Sequence, residues 1–154
     1  MARLLTPAAA CSSDAVAHEL RHWSTLPFVD GETDCGLSVI AYVERVSGRV
    51  LTPRPRYAGK LGGQRFLKRR GGFVAFGDWA LGQLGCARCA QPVRGDVGLV
   101  DLPGSGLTAS LCLGMTAMSD QPWWAARAHF EVMVTAQVPV AAWRVEGDVQ
   151  CLKP

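Results

Sequence analysis

Apolar residues recur at helical spacing through the first part of the chain. Residues 12–24 begin with residue types that favour a helix N-cap and then place Leu20 and Trp23 on one face, which predicts an amphipathic helix. Between residues 34 and 47 apolar side chains cover most of a helical surface, and Gly48 follows as a natural stop. The pattern therefore predicts a surface helix followed by a buried, central one.

The next stretch is less regular. Residues 49–70 are rich in proline and basic side chains, and they predict only a short helix around residues 57–61. Apolar residues then return at helical spacing over residues 73–84, and Gly85 closes that segment. We expect a further helix there, with weak capping at its start.

The period then changes from helical to alternating. Residues 97–101 and 107–114 predict two strands joined by a turn at residues 103–106, and the segments 130–134 and 138–145 also alternate. Strands that follow a block of helices are typical of an α+β protein.

The predicted fold class is therefore α+β, with N-terminal helices and a small C-terminal antiparallel sheet packed against the helix that starts at Cys35. The chain has 154 residues, of which 49% are hydrophobic and 19% charged. That length and composition describe a globular protein, and we expect a single domain over residues 1–154.

Charge does not by itself indicate a nucleic-acid partner. The net charge is only +3. It is uneven, because the stretch 54–70 holds basic residues and no acidic ones: Arg54, Arg56, Lys60, Arg65, Lys68, Arg69 and Arg70. Such a stretch is either a phosphate-facing patch or a solvated face. Since it carries no nucleic-acid-binding motif, we expect no nucleic-acid partner.

The chain shows no sign of a membrane span or of export. No apolar run approaches the roughly 18 residues that a spanning helix needs. The start is lipoprotein-like only up to Cys11, and it is short and interrupted by Pro7, so we expect no signal peptide. Without export, the six cysteines are expected to be free thiols rather than disulfides.

Cys35 is the candidate nucleophile. It lies in the first turn of the central helix, where unpaired N–H groups and the helix dipole stabilise a thiolate. Gly36 beside it leaves room for a substrate or a neighbouring strand. Asp34 acts in the opposite direction, because its carboxylate competes for the same N–H groups and repels a thiolate.

Four short motifs in a fixed order connect this chain with a known family. They are Asp34-Cys35-Gly36-Leu37, Arg94-Gly95-Asp96-Val97, Leu111-Cys112-Leu113-Gly114 and Ala142-Trp143-Arg144-Val145. In this order the chain resembles NlpC-type cell-wall peptidases. It is still more similar to a family of uncharacterised tailed-phage, or gene-transfer-agent-like, tail-tip proteins allied to those peptidases. The resemblance spans roughly residues 20–146.

The resemblance implies a papain-like NlpC-type fold and a place in the virion. A tail-tip protein would be assembled in the host cytoplasm and would contact other tail-tip or hub proteins, and it would also meet peptidoglycan. The resemblance implies no cofactor.

One residue of the peptidase pattern is missing. The family keeps its catalytic histidine five or six residues before the glycine of the second strand motif, and here those positions hold Ala109 and Thr108. Without an imidazole base, general-base assistance worth roughly a hundredfold or more is lost. His129 is the weak candidate for a substitute base, because it precedes a predicted strand.

Other chemistry-bearing residues have weaker patterns. His18 and His22 share a helix face as a metal pair or as solvated side chains, and Cys86 and Cys89 form one C-x-x-C that is compatible with metal, redox or ordinary thiols. We assign no metal ligands. Trp123 and Trp124 are adjacent, so at least one indole is a candidate anchor for a partner, with core packing as the alternative.

The sequence leaves different function classes open. The first is a structural or adaptor component of a phage tail tip on an NlpC-like fold that lacks a complete catalytic set. The alternative is an active cysteine peptidase or amidase that acts on peptidoglycan, with Cys35 as nucleophile and His129 as base. A third is a metal-bound interaction module that uses Cys86 and Cys89.

Overall fold

The computed structural model describes residues 14–146, so the lipoprotein-like start, Cys11 and Cys151 lie outside the described residues. The helices are α1 Ala15–Thr25, α2 Cys35–Ser47, α3 Gly59–Arg69 and α4 Phe73–Gln83. The strands are β1 Ala87–Arg88, β2 Val97–Leu102, β3 Gly106–Thr116, β4 Ser119–Arg127, β5 Val132–Ala136 and β6 Ala141–Arg144. The predicted α+β class is confirmed.

The six strands form one antiparallel sheet in the order β1-β6-β2-β3-β4-β5. The centre of the sheet is the β2–β3 hairpin, in which Leu99 pairs with Ala109. The last strand, β6, returns to the other side of β2 and places Trp143 opposite Val97. Residues from β2, β3 and β6 therefore meet on the face that the helices cover.

The main hydrophobic core lies between that face and the helices. Alternation along β2 sends Val97 and Leu99 into this core, whereas Val100 and Leu102 pack on the other face of the sheet beside Trp124. Helix α2 contributes the largest share of buried helical residues: Leu37, Ser38, Val39, Ile40, Tyr42, Val43 and Val46. As predicted, α2 is the central helix.

The ends of α1 and α2 follow the predicted capping chemistry. Asp14 accepts a hydrogen bond from the Val16 amide at 2.9 Å. Asp34 does the same for the Leu37 amide at 3.0 Å, and Gly48 ends α2 with φ 74°, a left-handed conformation that glycine adopts without strain.

Three elements differ from the prediction, and one of them is the two-residue strand β1, Ala87–Arg88, which was not predicted. The short helix expected at residues 57–61 is instead α3, Gly59–Arg69, because Phe66 enters the core and supports a longer helix. Strand β4 was missed, since Pro122 interrupts the pattern, and the register of β4 against β3 is irregular there.

The two adjacent indoles point to opposite faces of β4. Trp124 is fully buried, and its indole N–H donates to the Gln137 carbonyl at 3.0 Å. Trp123 is half-buried and donates to the Thr116 hydroxyl at 2.9 Å. Core packing accounts for Trp124, and Trp123 stays the candidate anchor.

The motif residues of β2 and β6 meet around one buried carboxylate. Asp96 is 2% exposed and accepts hydrogen bonds from the Arg144 guanidinium at 2.8 Å and from the amides of Val93 and Val145 at 2.9 and 3.1 Å. A carboxylate with donors on both sides fixes the turn before β2 to the end of β6. These motif residues therefore have a structural role.

The basic stretch is partly engaged. Arg54 pairs with Glu44 at 3.0 Å, and the Arg70 guanidinium lies over the rings of Phe66 and Trp79, at 5.1 and 4.7 Å from their centres. The other members are exposed: Arg56, Lys60, Arg65, Lys68 and Arg69. Within residues 14–146, no helix is both long enough and apolar enough to cross a bilayer.

We expect Gly77→Ala to lower the free energy of unfolding by about 1 to 3 kcal/mol, because the new methyl group would overpack the core. A Cβ there would lie 2.7 Å from the Trp143 ring, which is buried and held by a hydrogen bond to Asp78. Urea unfolding measures the change.

Gly82→Ala is the matched control on the same helix. A Cβ at Gly82 meets nothing within 4 Å, so the better helix propensity of alanine should raise stability by about 0.5 to 1 kcal/mol. Equal effects of the two substitutions would contradict the packing argument.

Candidate functional site

The start of α2 is organised by Asp34. This side chain is 6% exposed. One carboxylate oxygen accepts the Leu37 amide, and the other accepts the Gly31 amide at 2.8 Å and the Tyr57 hydroxyl at 2.5 Å. The carboxylate thus joins the preceding loop, the first turn of α2 and the segment before α3. It sets the position of Cys35, the next residue.

The Cys35 thiol is poorly placed to ionise. Burial raises the pKa of Cys35 to about 11; the carboxylates of Asp34 and Asp30 add to the rise, and backbone hydrogen bonds from Ala109 and Gly36 act against it. Cys35 is half-buried, and the loss of much of the water that would solvate a thiolate outweighs the favourable helix terminus. At neutral pH the thiol is protonated.

The thiol faces strand β3 at the position that the sequence singled out. Ala109, whose backbone hydrogen-bonds to the sulfur, is one of the two residues that occupy the place of the family's histidine. The other, Thr108, is buried, and its hydroxyl donates to the Gly106 carbonyl at 3.0 Å. Neither side chain can take a proton from the thiol.

His129, the second predicted site residue, lies in the loop between β4 and β5 and is exposed. Its ring is 4.3 Å from the ring of Phe28 and 6.1 Å from that of Phe130, measured between centroids. The structure thus holds the imidazole among aromatic rings at the mouth of the cleft described next.

Cys35 and His129 both line one cleft of about 440 Å³. Its floor is the start of α2, one wall contains Tyr57 and Phe66, and the other is the turn between β2 and β3. Much of the lining is apolar, with Leu37, Ile40, Phe66, Leu67, Phe73 and Phe76 among its residues. A volume of this size suits a small organic molecule or a short segment of chain.

Arg127 also lines this cleft, and sequence reasoning missed it. It is 4% exposed, one Nη donates to the Leu26 carbonyl, and the other, Nη1, has no acceptor among the described residues. Ser110 pairs with Ala126, so the next position of that register puts Arg127 beside Ala109 on the same face of the sheet. An arginine that ends an apolar run, residues 123–126, was the available signal.

The remaining candidates do not gather into a site. His18 and His22 are exposed on α1, and Cys86 is buried whereas Cys89 is half-buried beside Asp96, with 3.8 Å between the Cys89 sulfur and a carboxylate oxygen. Among residues 14–146, no group of three or more His, Cys, Asp or Glu side chains is arranged to hold a metal ion.

Comparison with known proteins gives one match. A family model described as "Domain of unknown function (DUF6950)" matches residues 11–145, which is most of the chain and contains the whole cleft. No curated protein and no solved structure matches.

We expect Cys35 to react with iodoacetamide about a hundredfold more slowly than an ordinary thiol at pH 8, because its pKa is about 11 rather than 9.0. The rate should rise with pH until the pH passes the pKa of Cys35. Peptide-level mass spectrometry after timed labelling resolves Cys35 from the other cysteines.

The control is the same chain in urea, where Cys35 should label as fast as the other thiols. Labelling of folded Cys35 at pH 7 that exceeds the rate in urea would contradict the suppressed ionisation.

Replacing Tyr57 by phenylalanine tests the hydrogen bond between the Tyr57 wall of the cleft and Asp34. Tyr57→Phe removes a donor to the buried Asp34 carboxylate, and we expect a loss of about 1.5 to 3 kcal/mol in unfolding free energy. The matched control, Tyr42→Phe, removes a hydrogen bond to the neutral Gly95 carbonyl and should cost about 0.5 to 1.5 kcal/mol. If Tyr57→Phe left the free energy of unfolding unchanged, Asp34 would not need this donor.

Proposed function

The chain belongs to the DUF6950 family, and we propose that it is a structural or adaptor component of a tailed-phage tail tip or of a related gene-transfer-agent-like particle. In this proposal the protein is built on a papain-like NlpC-type fold that lacks a complete catalytic set. Four helices followed by an antiparallel sheet, with a cysteine at the head of the central helix, are compatible with that fold.

One observation carries the proposal: the Cys35 sulfur faces Ala109, where the peptidases have their histidine. In this proposal the nucleophile position and the base position are adjacent in space, but an alanine occupies the base position. The thiol is also protonated at neutral pH. A site with this arrangement lacks the proton acceptor that a cysteine hydrolase needs.

The motifs that carry the resemblance also stabilise the fold, which does not require catalysis. Asp96 and Arg144 tie β2 to β6, and Arg94 pairs with Asp14 at 2.5 Å and donates to the Leu113 carbonyl at 2.9 Å. Because these contacts stabilise the fold, the motifs would be retained in a particle component. The proposed partners are other tail-tip or hub proteins, with assembly in the host cytoplasm and contact with peptidoglycan from the virion.

The second candidate is a cysteine peptidase or amidase that acts on peptidoglycan when the particle enters a cell. It is favoured by the presence of Cys35 and His129 in the same cleft. It requires the imidazole to leave the Phe28 ring and reach the sulfur, and the thiol to lose its proton against the effects of burial and of Asp34.

Location tests the first proposal. Particles purified from the phage or gene-transfer agent that encodes the chain should contain it by mass spectrometry, and immunogold labelling should mark the tail tip. A matched particle preparation from a deletion strain is the control. Intact, infective particles that never contain the chain would overturn the proposal.

Activity separates the two candidates. We expect the wild-type protein to release no more peptide or amine from purified peptidoglycan than the Cys35→Ala and His129→Ala variants do. Chromatography of the soluble products measures this. Cleavage by the wild type that falls at least about a hundredfold in both variants would establish the hydrolase instead.

A further inference from the structure

Arg127 differs from the arginines that form ion pairs in the described part of the chain. Those five, Arg45, Arg54, Arg88, Arg94 and Arg144, each pair with a carboxylate and keep 39 to 51% of the side chain exposed. Arg127 is 4% exposed, and among residues 14–146 no carboxylate lies within ion-pair distance of it. It is therefore a buried cation without a counter-charge in the described structure.

A buried cation of this kind is costly. Desolvation of an unpaired charge is strongly unfavourable, and an unsatisfied buried donor adds to that cost. The Leu26 carbonyl satisfies one Nη of Arg127, and the Phe28 ring lies 5.9 Å from the guanidinium carbon, but Nη1 has no acceptor within residues 14–146. Burial lowers the pKa of Arg127 without making a guanidinium neutral at ordinary pH. A bound anion would supply the missing charge.

The position of Arg127 gives that anion a place to bind. Arg127 lines the same cleft as Cys35. In the register of β4 against β3, Arg127 lies beside Ala109. Nη1 has almost no exposed surface, so an anion reaches it when a neighbouring side chain moves aside. Phe28 is such a neighbour: it lines the cleft, it is half-buried, and its ring lies tilted against the exposed His129 ring.

We propose that the cleft is a binding site for a ligand with an apolar body and one anionic end, a carboxylate or a phosphate, and that Arg127 binds the anionic end. Guanidinium groups bind both anions through paired N–H donors. The apolar body would lie along Phe66, Phe73 and Ile40. This site goes beyond the proposed function and does not depend on a place in the virion.

The other charged side chains of the cleft bear on whether Arg127 is the group that binds the anion. Lys60, His129 and Glu131 are exposed at the mouth of the cleft. Asp30 is half-buried, and the Asp34 carboxylate accepts hydrogen bonds from three donors. An exposed lysine holds an anion weakly, because water competes and salt screens the pair. Lys60 is therefore the right comparison for Arg127: it has the same charge and lines the same cleft, but it is solvated.

The experiment compares probes that differ only at the polar end: decanoate, decyl phosphate and the neutral, nearly isosteric decanamide. Calorimetric or NMR titration of the full chain gives each Kd. We expect decanoate or decyl phosphate to bind at least about tenfold more tightly than decanamide, which is the effect of one hydrogen bond to a charged group. The tighter of the two anions identifies the head group.

Two matched variants locate the anion. Arg127→Met should reduce the preference for anion over amide to about one and leave decanamide binding unchanged, whereas Lys60→Met should keep the preference. The proposal is overturned by equal affinity of the wild type for anion and amide, by absence of binding for every probe, or by loss of the preference in Lys60→Met alone.

Arg127→Met also removes the hydrogen bond to Leu26, so circular dichroism must show that the variant is folded. If it is not, the wild type still decides. The guanidinium ¹⁵N–¹H signals of Arg127 should shift with the anionic probe and not with decanamide, and signals that ignore both probes would overturn the proposal.

Discussion

The site depends on the hydrogen bonds that the Asp34 carboxylate accepts. This carboxylate accepts three hydrogen bonds from three different segments, so the loop before α2, the first turn of α2 and the wall that contains Tyr57 hold one another in place. A helix N-terminus normally favours a thiolate, but here its amides are shared with a fixed negative charge one residue away. The same group that orders the site therefore adds to the rise in the pKa of Cys35, of which burial is the larger cause.

The second buried carboxylate, Asp96, does comparable work at the far side of the fold. It holds the turn before β2 against the end of β6, and Tyr42 of the central helix donates to the carbonyl of the neighbouring Gly95 at 2.9 Å. Helix α2 is thus fixed to the sheet by polar contacts as well as by its apolar surface. Both carboxylates lie in motifs that carry the resemblance to the peptidases, and both hold separate segments of the chain together.

Much of this fold follows from local chemistry that a sequence displays. The N-caps Asp14 and Asp34 and the stop at Gly48 locate α1 and α2, because capping involves only a few neighbouring residues. Strand β4 was harder to predict, since Pro122 and two adjacent indoles hide its alternation until β3 and β5 are known to flank it. Which strands pair with one another cannot be predicted from the pattern of neighbouring residues.

The candidate site was also predictable only where it depends on neighbouring residues in the sequence. The place of Cys35 at a helix start, and the absence of an imidazole at residues 108 and 109, could be predicted by counting residues. That Arg127 faces the same cleft could not, because it depends on the register of β4 against β3 and on burial by Leu26 and Phe28. Suppression of the thiol by burial likewise depends on what packs around it.

The close contacts between glycine and tryptophan have a consequence for how such a sequence can diverge. A Cβ on Gly98 would lie 2.7 Å from the Trp124 ring and 2.9 Å from the Ala141 carbonyl oxygen, and Gly77 stands in the same relation to Trp143. In each pair the space that the glycine leaves is filled by the indole. Descendants of this chain can therefore enlarge Gly77 only together with a smaller residue in place of Trp143, so those two positions should covary across the family. At Gly98 the Ala141 carbonyl blocks a Cβ even when Trp124 is replaced by a smaller residue.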